Sequence, residues 1–520
     1  MYFTLTHLSV SKTQGSLTKL LKSAGIVFVS TVVARGLALG AEVFIIRSLS
    51  PDVFGTIAVA YTVALVLGRL SLFGVPAGVT RFISDESSEE EQWTVVKHGL
   101  LIVAPLTVTA SLVLIVFPAS FGELMNSEGI KQYLTVFALF VVAFPISRVI
   151  IAVLRARGET LYAGLSKDLL SRAGGIVLFA GLASVGITEV GAVAYWVSLP
   201  IISMVSSVYL LNRRLSVSGV LKSTIDWSSL RDLWSFSWPL AFSSSLLLFF
   251  SNMDVLMIEY FLASEAVGYY RSIQPLRQVT GFVLSSFTFL YLPLATQYFS
   301  NGDFDTLAEF YKVTTKWITA LTLPLVLVFS VFAADIVKVF FGPAYLPVSE
   351  VLSVLVGGLF FNVLVGPNGA TAKAIDRPRI ELVSAAVGFV VNLGLNIILI
   401  PRYGIMGAAV ATVAGFVTYN TMEITFIRRS IGCLPFSANQ LKPLAPTVGA
   451  ALLLKWFFGG SVGFAGLIAI GMFLSAFHLV SMLVTRSIDE NDIDLVRRLE
   501  ENLGREIPYI RGALNRFSKG

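Results

Sequence analysis

Apolar segments of about twenty residues follow one another along most of the chain, with short polar breaks between them. A helix of about 20 apolar residues crosses the hydrocarbon core of a membrane. The segments do not alternate apolar and polar residues, which argues against a transmembrane barrel. Only 13% of the residues are charged, whereas a soluble domain carries about 25% charge. The sequence therefore predicts an all-α polytopic protein that passes through the cell membrane many times.

Reading the apolar runs between polar breaks predicts about fourteen transmembrane helices. The predicted spans are 24–47, 54–79, 96–118, 132–154, 162–184, 189–211, 233–257, 266–296, 317–340, 347–371, 380–400, 405–427, 443–459 and 463–485. Lysine and arginine gather in alternate loops, for example at Arg155 and Arg157 and at Arg428 and Arg429. Because cytoplasmic loops are enriched in these residues, both termini are predicted to be cytoplasmic.

Two pairs of segments resemble each other across the chain. EVFIIRSLSPDVFG (42–55) is similar to DVLMIEYFLASEAVG (254–268), and the segment 158–194 is similar to 376–411, each with a shift of about 212–218 residues. Spans one to six are therefore predicted to repeat as spans seven to twelve, in the same orientation, about a pseudo-twofold axis along the membrane normal. The predicted organisation is a cytoplasmic segment 1–23, an N-lobe 24–215, a C-lobe 216–430, two extra spans in 431–485 and a cytoplasmic amphipathic tail 486–520.

Several classes of function lack their sequence signatures. The chain has no GxxxxGK[ST] nucleotide-binding loop, a single cysteine (Cys433) and three histidines without metal-ligand spacing. It has no basic stripe interleaved with aromatic residues, so nucleic acid is not a predicted partner. No predicted external loop is longer than about fifteen residues, which leaves no room for an extracytoplasmic catalytic domain. The sequence predicts no cofactor, no metal and no enzymatic activity.

Charged residues interrupt the predicted spans. Arg35 and Glu42 lie seven positions apart in TVVARGLALGAEVFII, so both side chains leave one face of a helix. Arg69, Arg148 and Arg277 interrupt later spans. A charge at mid-membrane costs roughly 2.5–3.5 kcal/mol on insertion scales, which indicates a function or a partner. Snorkelling arginines and an internal Arg35–Glu42 salt bridge are the structural alternatives.

The intramembrane arginines outnumber the acids at mid-depth. Since guanidinium groups bind phosphate bidentately, this excess favours an anionic ligand. Arg35, Arg69, Arg148 and Arg277 are therefore the candidate residues for binding a phosphate and sugar head.

Two acids are candidates for a different role. Glu42 and Asp254 align in the repeat, each near the outer end of its span. They are candidates for ion coupling or gating, with Na⁺ or H⁺ as the ion, and the alternative is a solvated carboxylate at the mouth of the span.

Three segments carry a family resemblance: RSLSPDVFGTIAVA (47–60), FFGPAYLPVSEVLSVL (340–355) and NLGLNIILIPRYGIMGAAVAT (392–412). They resemble the polysaccharide-transporter branch of the multidrug/oligosaccharidyl-lipid/polysaccharide superfamily. The resemblance implies two six-helix lobes around a cationic cavity, and a flippase that moves lipid-linked oligosaccharide to the outer leaflet by alternating access. It also implies a polyprenyl or dolichyl phosphate or pyrophosphate carrier. Family members often place basic residues in the first and eighth spans, where Arg35 and Arg277 lie.

The implied process is the biosynthesis of cell-surface polysaccharide or glycoprotein. The implied partners are the lipid-linked oligosaccharide and membrane lipids, and the glycosyltransferases, polymerase or oligosaccharyltransferase of the same pathway. Three alternatives stay open. A multidrug/toxin-extrusion antiporter would export organic cations and should carry unpaired acids. A membrane glycosyltransferase would need paired acids or a histidine base on an external loop. A scaffold would not explain charges within spans.

Overall fold

The computed structural model describes residues 33–86, 88–125, 127, 129–213, 218–458, 461–489 and 492. Within these residues the chain is almost wholly helical and contains no strand. The predicted segment 1–23, the beginning of the first span and nearly all of the amphipathic tail lie outside the described residues. The chain forms two compact units, which divide between Gly268 and Tyr269. We call them unit 1 and unit 2.

Unit 1 consists of helices joined by short turns. They are α1 (33–48), α2 (Pro51–Ser71), α3 (Val75–Asp85), α4 (Glu89–Val116), α5 (Pro118–Leu124), α6 (Ile130–Ala156), α7 (Thr160–Gly164), a π-helical turn (Leu165–Leu170), α8 (Ser171–Ser184), α9 (Thr188–Asn212), α10 (Gly219–Lys222) and α11 (Trp227–Phe261). The next helix, α12 (Ser264–Ser272), begins in unit 1 and ends in unit 2.

Helix α6 lies at the centre of unit 1. It packs against α2, α3, α4 and α9, and the run from Val149 to Leu154 is buried on every side. A helix that is apolar all round is expected where neighbours cover each face. Helix α11, which packs against α2, α3 and α4, begins at an N-cap, Asp226, whose carboxylate accepts hydrogen bonds from the backbone N–H groups of Ser228 (3.0 Å) and Ser229 (3.3 Å). These bonds hold the pKa of Asp226 below its usual range.

The first pair of similar segments meets in unit 1. A Cβ atom on Gly55 would lie 1.7 Å from the carbonyl oxygen of Ser264, and one on Gly268 would lie 1.8 Å from that of Pro51. Both distances are impossible for a real side chain, so each copy of the motif needs its glycine for this contact. The glycine at the end of each quoted motif is therefore explained by close packing of helix α2 against helix α12.

Unit 2 is also helical throughout its described residues. Its helices are α13 (Gln274–Thr280), α14 (Phe282–Ser300), α15 (Phe304–Val331), α16 (Ala333–Phe340), a 3₁₀ turn (Pro343–Val348), α17 (Ser349–Leu364), α18 (Asn368–Ala374), α19 (Pro378–Ile431), α20 (Ala438–Leu441), α21 (Leu444–Phe458) and α22 (Phe464–Val484). Helix α15 is the centre, where it packs against α14, α17, α21 and α22.

Residues in the left-handed region recur at matching positions of the second pair of similar segments. Gly158 (φ 79°) precedes α7, and Asp376 (φ 54°), 218 positions later, precedes α19. Gly186 (φ 86°) precedes α9, and Gly404 (φ 58°), again 218 positions later, breaks α19 into two parts. The long α19 thus covers two of the predicted spans, 380–400 and 405–427. The repeat detected in the sequence is accompanied by a repeat in local backbone conformation.

Proline residues lie inside several helices, and one proline-containing run separates two helices. Pro145 lies inside α6 and Pro239 inside α11, while α14, which contains Pro293, bends by 41°. The Pro367–Asn368–Gly369 run separates α17 from α18, next to Gly366 at φ 67°. A proline inside a helix removes a hydrogen bond and favours a kink.

A buried ion pair ties the segment after α22 to α15. The ammonium group of Lys316 lies 2.7 Å from Asp492 Oδ2 and donates to the carbonyl oxygen of Ser487 at 2.9 Å. Trp317 Nε1 donates to Asp492 Oδ1 at 2.9 Å. Both charged side chains are buried, so loss of either partner would leave an uncompensated charge.

Among the described residues, nine helices are long and apolar enough to cross a membrane, or ten if the bent α14 is counted as one span. Large apolar side chains such as Val205 (58% exposed) and Val390 (65% exposed) lie on the surfaces of these helices. A multi-pass membrane protein is therefore confirmed. The count of fourteen spans, the lobe limits and the cytoplasmic position of the termini stay predictions.

Candidate anion-binding site

A cluster of basic side chains lies in unit 1, where α2, α6, the π-helical turn and α8 come together. We call it the cationic cluster, and its members are Arg69, Arg148, Arg155, Lys167 and Arg172, with Asp168 as the acid among them. The cluster therefore carries five positive charges and one negative charge.

Arg148 connects the helices of the cluster. Its guanidinium group lies 4.8 Å from the ring centroid of Phe144, one turn earlier on α6, which is a cation–π distance. Arg69 in the last turn of α2 lies within electrostatic range of Arg148, and so do Arg155 and Asp168. Arg148 is half-buried whereas Arg69 is exposed, so the charge of the cluster extends from the interior of the unit to its surface.

The π-helical turn supplies the next part of the cluster. The turn spans Leu165–Leu170, and it contains Lys167 and Asp168, whose charged atoms are 3.7 Å apart. Both side chains keep some exposure, 31% and 24%. Arg148 and Arg172 lie within electrostatic range of Lys167. Single π-turns within α-helices are frequent at functional sites, because the wider turn reorients the side chains around it.

Polar atoms in the interior of this region have unused hydrogen-bonding capacity. Ser166 Oγ is buried and makes no hydrogen bond within the described part of the chain, while Arg172 and the buried hydroxyl group of Tyr195 are hydrogen-bonding neighbours of each other. Glu42 of α1 and Arg172 both lie within electrostatic range of Tyr195. Buried polar groups are normally hydrogen-bonded, so unused groups beside a cluster of cations indicate a place where a polar ligand or water is held.

The cluster has the chemistry of an oxyanion site. Each arginine presents a planar fork of N–H donors that matches two phosphate oxygens, and the lysine adds a point charge. One acid cannot neutralise five cations, so an anion with more than one negative charge is the best-matched ligand. The aromatic pair formed by Tyr61 and Trp196, stacked with centroids 5.4 Å apart, lies beside it, because Tyr61 is within electrostatic range of both Arg148 and Tyr195.

The structure brings some of the predicted site residues together and not others. Arg69 and Arg148 belong to the cationic cluster, and Glu42 reaches its edge through Tyr195. Arg35 is exposed on α1. Arg277 is half-buried on α13 and belongs to unit 2, while Asp254 is buried on α11 of unit 1. The functional roles of all six residues stay predictions.

Sequence reasoning identified two of the six cluster residues, Arg69 and Arg148, as site candidates and missed the other four. Lys167, Asp168 and Arg172 lie inside the predicted fifth span, 162–184, where a charge should have drawn the same attention as Arg148 did. Their presence in an apolar segment was a usable signal. The π-helical turn that groups them has no sequence signature of comparable strength.

Comparison with known proteins agrees with this architecture. The family model described as polysaccharide biosynthesis protein matches residues 20–299, which is more than half of the chain, and the MatE family model matches residues 239–398.

Two curated relatives cover different shares of the chain. The chain is similar to the probable low-salt glycan biosynthesis flippase Agl15 of Haloferax volcanii, with 25% sequence identity. The matching region covers 37% of this chain and 41% of that relative. The chain is also similar to the putative O-antigen transporter of Shigella flexneri, with 22% sequence identity. Here the matching region covers 71% of this chain and 88% of the relative. The chain thus spans about two fifths of the length of the Haloferax relative and most of that of the Shigella one.

The fold has a solved counterpart. The structure of the lipid II flippase MurJ in an inward closed conformation superposes with a TM-score of 0.70, covers 87% of this chain and 97% of that chain, and is 15% identical in sequence. At this identity the likeness concerns the fold alone. The resemblance seen in the sequence is confirmed: the chain belongs to the polysaccharide biosynthesis protein family.

Proposed function

We propose that this protein is a flippase that moves a lipid-linked oligosaccharide from the cytoplasmic to the outer leaflet of the plasma membrane. The observation that carries the proposal is the cationic cluster: five basic groups and one acid, partly accessible, gathered in one region of unit 1. The substrate class that fits it is a phosphate or pyrophosphate joined to a sugar chain and a long isoprenoid. The protein is a transporter and has no covalent step to catalyse.

The physical task explains the need for such a site. A phosphate with its sugars cannot cross about 30 Å of hydrocarbon unaided, because its polar groups would lose their hydration without replacement. In the cluster, Arg148, Lys167 and Arg172 replace water around the phosphate, and Tyr61 and Trp196 offer ring faces to a sugar. The isoprenoid chain needs no site of this kind, since it stays in the lipid.

Alternating access between the two leaflets supplies the movement. The prolines and glycines within the helices, such as Pro145 three residues before Arg148 and Gly404 in α19, allow helices to bend without losing their packing. The headgroup enters from the cytoplasmic leaflet and leaves on the other side. Glycosyltransferases that build the saccharide and a polymerase or oligosaccharyltransferase that consumes it are the proposed pathway partners.

The names of two relatives support this proposal. One is called a probable glycan biosynthesis flippase and the other a putative O-antigen transporter. Both names describe handling of a glycan at a membrane, which is the substrate class that the cluster favours.

The runner-up is a cation-coupled antiporter for organic cations, because the MatE family model matches residues 239–398. An antiporter of this kind needs acids facing its substrate. The cationic cluster would repel a positively charged substrate, which is the reason for preferring the flippase.

A transport assay separates the two proposals. Purified protein would be reconstituted in liposomes with a fluorescent lipid-linked oligosaccharide, and flipping would be read from protection of the label against an impermeant quencher. The same vesicles would be loaded with a fluorescent organic cation under a proton or sodium gradient. We expect flipping and no cation export. Cation export without flipping would overturn the proposal and favour the antiporter.

A further inference from the structure

Unit 2 contains a carboxylate in an unusual environment. Glu423 lies in the second part of α19 and is 0% exposed. Both of its carboxylate oxygens are inaccessible, and the hydroxyl group of Tyr419, one turn earlier, is a hydrogen-bonding neighbour of the carboxylate. A single hydroxyl group does not replace the hydration of an ionised carboxylate in such a buried place, which favours the neutral form of Glu423 in this conformation.

The neighbouring amides are already engaged with one another. Asn368 Nδ2 donates to Asn420 Oδ1 at 2.7 Å, and Asn420 Nδ2 donates to the carbonyl oxygen of Phe416 at 2.7 Å. Asn368 Oδ1 accepts from the backbone N–H group of Gly369 at 3.0 Å. These bonds fix the crossing of α18 and α19 one turn before Glu423. The side-chain amides of Asn368 and Asn420 therefore donate to groups other than the Glu423 carboxylate.

Gly369 allows the backbone of α18 to come close to the carboxylate. A Cβ atom at this position would lie 3.8 and 3.9 Å from the two oxygens of Glu423 and 3.6 Å from the hydroxyl group of Tyr419. These are ordinary van der Waals distances, so the backbone of α18 bounds the carboxylate on one side. A proton on the carboxyl group needs no rearrangement of these neighbours.

The charged and titratable groups around Glu423 come from three helices. Lys373 of α18, Glu381 of α19 and Tyr419 of α19 lie within electrostatic range of it, as does Tyr311 of α15. Lys373 is engaged elsewhere, since its ammonium group lies 3.0 Å from Glu381 Oε2.

The tyrosine hydroxyls of α14 and α15 are also used. The hydroxyl of Tyr291 on α14 is bonded to Thr371 Oγ1 at 2.9 Å. That of Tyr311 donates to the carbonyl oxygen of Val365 at 2.9 Å. Lys373 is thus paired with another acid, and the hydroxyl groups of Tyr291 and Tyr311 do not serve Glu423, which leaves that of Tyr419 as its hydrogen-bonding neighbour.

We propose that Glu423 is a proton-binding site: it holds a proton in this conformation and gives it up when the surrounding helices open to water. In the open state Lys373 is free to leave Glu381 and compensate the newly ionised carboxylate, because both acids lie within its range. The pair Lys373–Glu381 is partly exposed, 49% and 24%, so the exchange requires little desolvation. This inference rests on the proposed function only where it links proton release to transport.

Infrared difference spectroscopy tests proton binding without any transport. Purified protein in lipid bilayers would be compared at neutral and alkaline pH as the parent, as Glu423→Gln and as Glu309→Gln, an exposed glutamate of α15 that serves as the matched control. We expect a carbonyl band of a protonated carboxyl group at neutral pH in the parent and in Glu309→Gln, and its loss in Glu423→Gln. An identical band in all three proteins would overturn the proposal. It would also be overturned if the parent showed no such band and its infrared spectrum changed on addition of sodium instead.

A transport measurement tests the coupling separately. Flipping of labelled lipid-linked oligosaccharide would be followed with and without an imposed pH difference across the liposome membrane. The parent and Glu309→Gln should respond to the pH difference, whereas Glu423→Gln should flip at a rate that ignores it. If Glu423→Gln keeps the full response, the coupling role is wrong while the proposed function stands. If the parent does not flip but shows the infrared band, the proposed function fails while the proton site stands.

Discussion

One polar site in each unit, the cationic cluster in unit 1 and Glu423 in unit 2, carries chemistry opposite to that of the other. Unit 1 holds five cations around one acid, with Lys167 and Asp168 still partly exposed. Unit 2 holds Glu423, which is fully buried and has the hydroxyl group of Tyr419 as its hydrogen-bonding neighbour. The first arrangement is suited to a large ligand with several negative charges that enters from water. The second is suited to a proton.

The repeat makes this difference informative. The register that pairs Gly158 with Asp376 also pairs Ser166 with Ser384, and the hydroxyl groups of both serines are buried without a hydrogen bond in the described chain. In the same register the charged residues of unit 1, Lys167, Asp168 and Arg172, correspond to Ala385, Ala386 and Val390. Similar backbones thus carry different side chains, so the chemistry of each unit must be read from its residues and not from its fold.

Removing two guanidinium groups from unit 1 should have the largest effect. In the double variant Arg148→Ala, Arg172→Ala we expect the flipping rate to fall by more than about 100-fold. Each charge-assisted hydrogen bond to the phosphate contributes about 1.5–3 kcal/mol. Since about 1.4 kcal/mol corresponds to a factor of ten, the loss of two such bonds gives a fall of this size. The measurement is the initial rate of flipping in proteoliposomes. The control is Arg428→Ala, Arg429→Ala, two exposed arginines in the last turn of α19.

Equal rates for these two double variants would contradict the assignment of the phosphate to unit 1. A fall in both would indicate a general effect of protein charge on the membrane surface. Only a fall confined to the first variant agrees with the difference between the units.

Neutralising the acid of the cluster should have a smaller effect in the opposite direction. In Asp168→Asn the positive charge of the cluster is no longer offset, and we expect KM for the lipid-linked oligosaccharide to fall by up to about fivefold, as is reasonable for a partly exposed charge. The dependence of flipping rate on substrate concentration measures it. A loss of flipping in this variant would show instead that Asp168 orients Lys167 or Arg148, and that the cluster does not act by net charge.

A change in the polar site of unit 2 should leave headgroup affinity almost untouched. Asn368→Ala removes the bond to Asn420 and leaves a buried amide oxygen without its donor, which costs about 1–3 kcal/mol of stability. We expect a lower Tm in detergent and a KM within about twofold of the parent, with the exposed Asn301→Ala as control. A tenfold rise in KM would mean that the headgroup also contacts unit 2.

Most of the fold could be predicted from the sequence because hydrocarbon imposes a simple rule: each span needs a continuous apolar run. The predicted spans 132–154 and 189–211 compare with Ile130–Ala156 and Thr188–Asn212 in the structure. Where one span consists of several pieces, the pattern fails. The predicted span 266–296 is built from α12, α13 and α14, and its interruptions depend on packing against other helices.

The candidate site was less predictable. Arg69 and Arg148 could be identified because a charge in an apolar run is conspicuous. Their neighbourhood could not, since it depends on a π-helical turn that brings Lys167 and Arg172 towards α6. Glu423 stands in NTMEITFIRR, near the end of a predicted span, where an acid is easily interpreted as a solvated residue. Its burial follows from α18 crossing over α19, which no local pattern predicts.

The central claim is that the cationic cluster of unit 1 binds the phosphate during flipping. The most direct test compares Arg148→Ala, Arg148→Lys and Arg429→Ala in the same proteoliposomes, with a labelled lipid-linked oligosaccharide and equal amounts of folded protein. The account predicts a flipping rate at least about tenfold lower for Arg148→Ala than for the parent. Arg148→Lys should recover part of the rate, because a point charge lacks the bidentate fork of a guanidinium group. Arg429→Ala should flip at the rate of the parent. A normal rate for Arg148→Ala would contradict it.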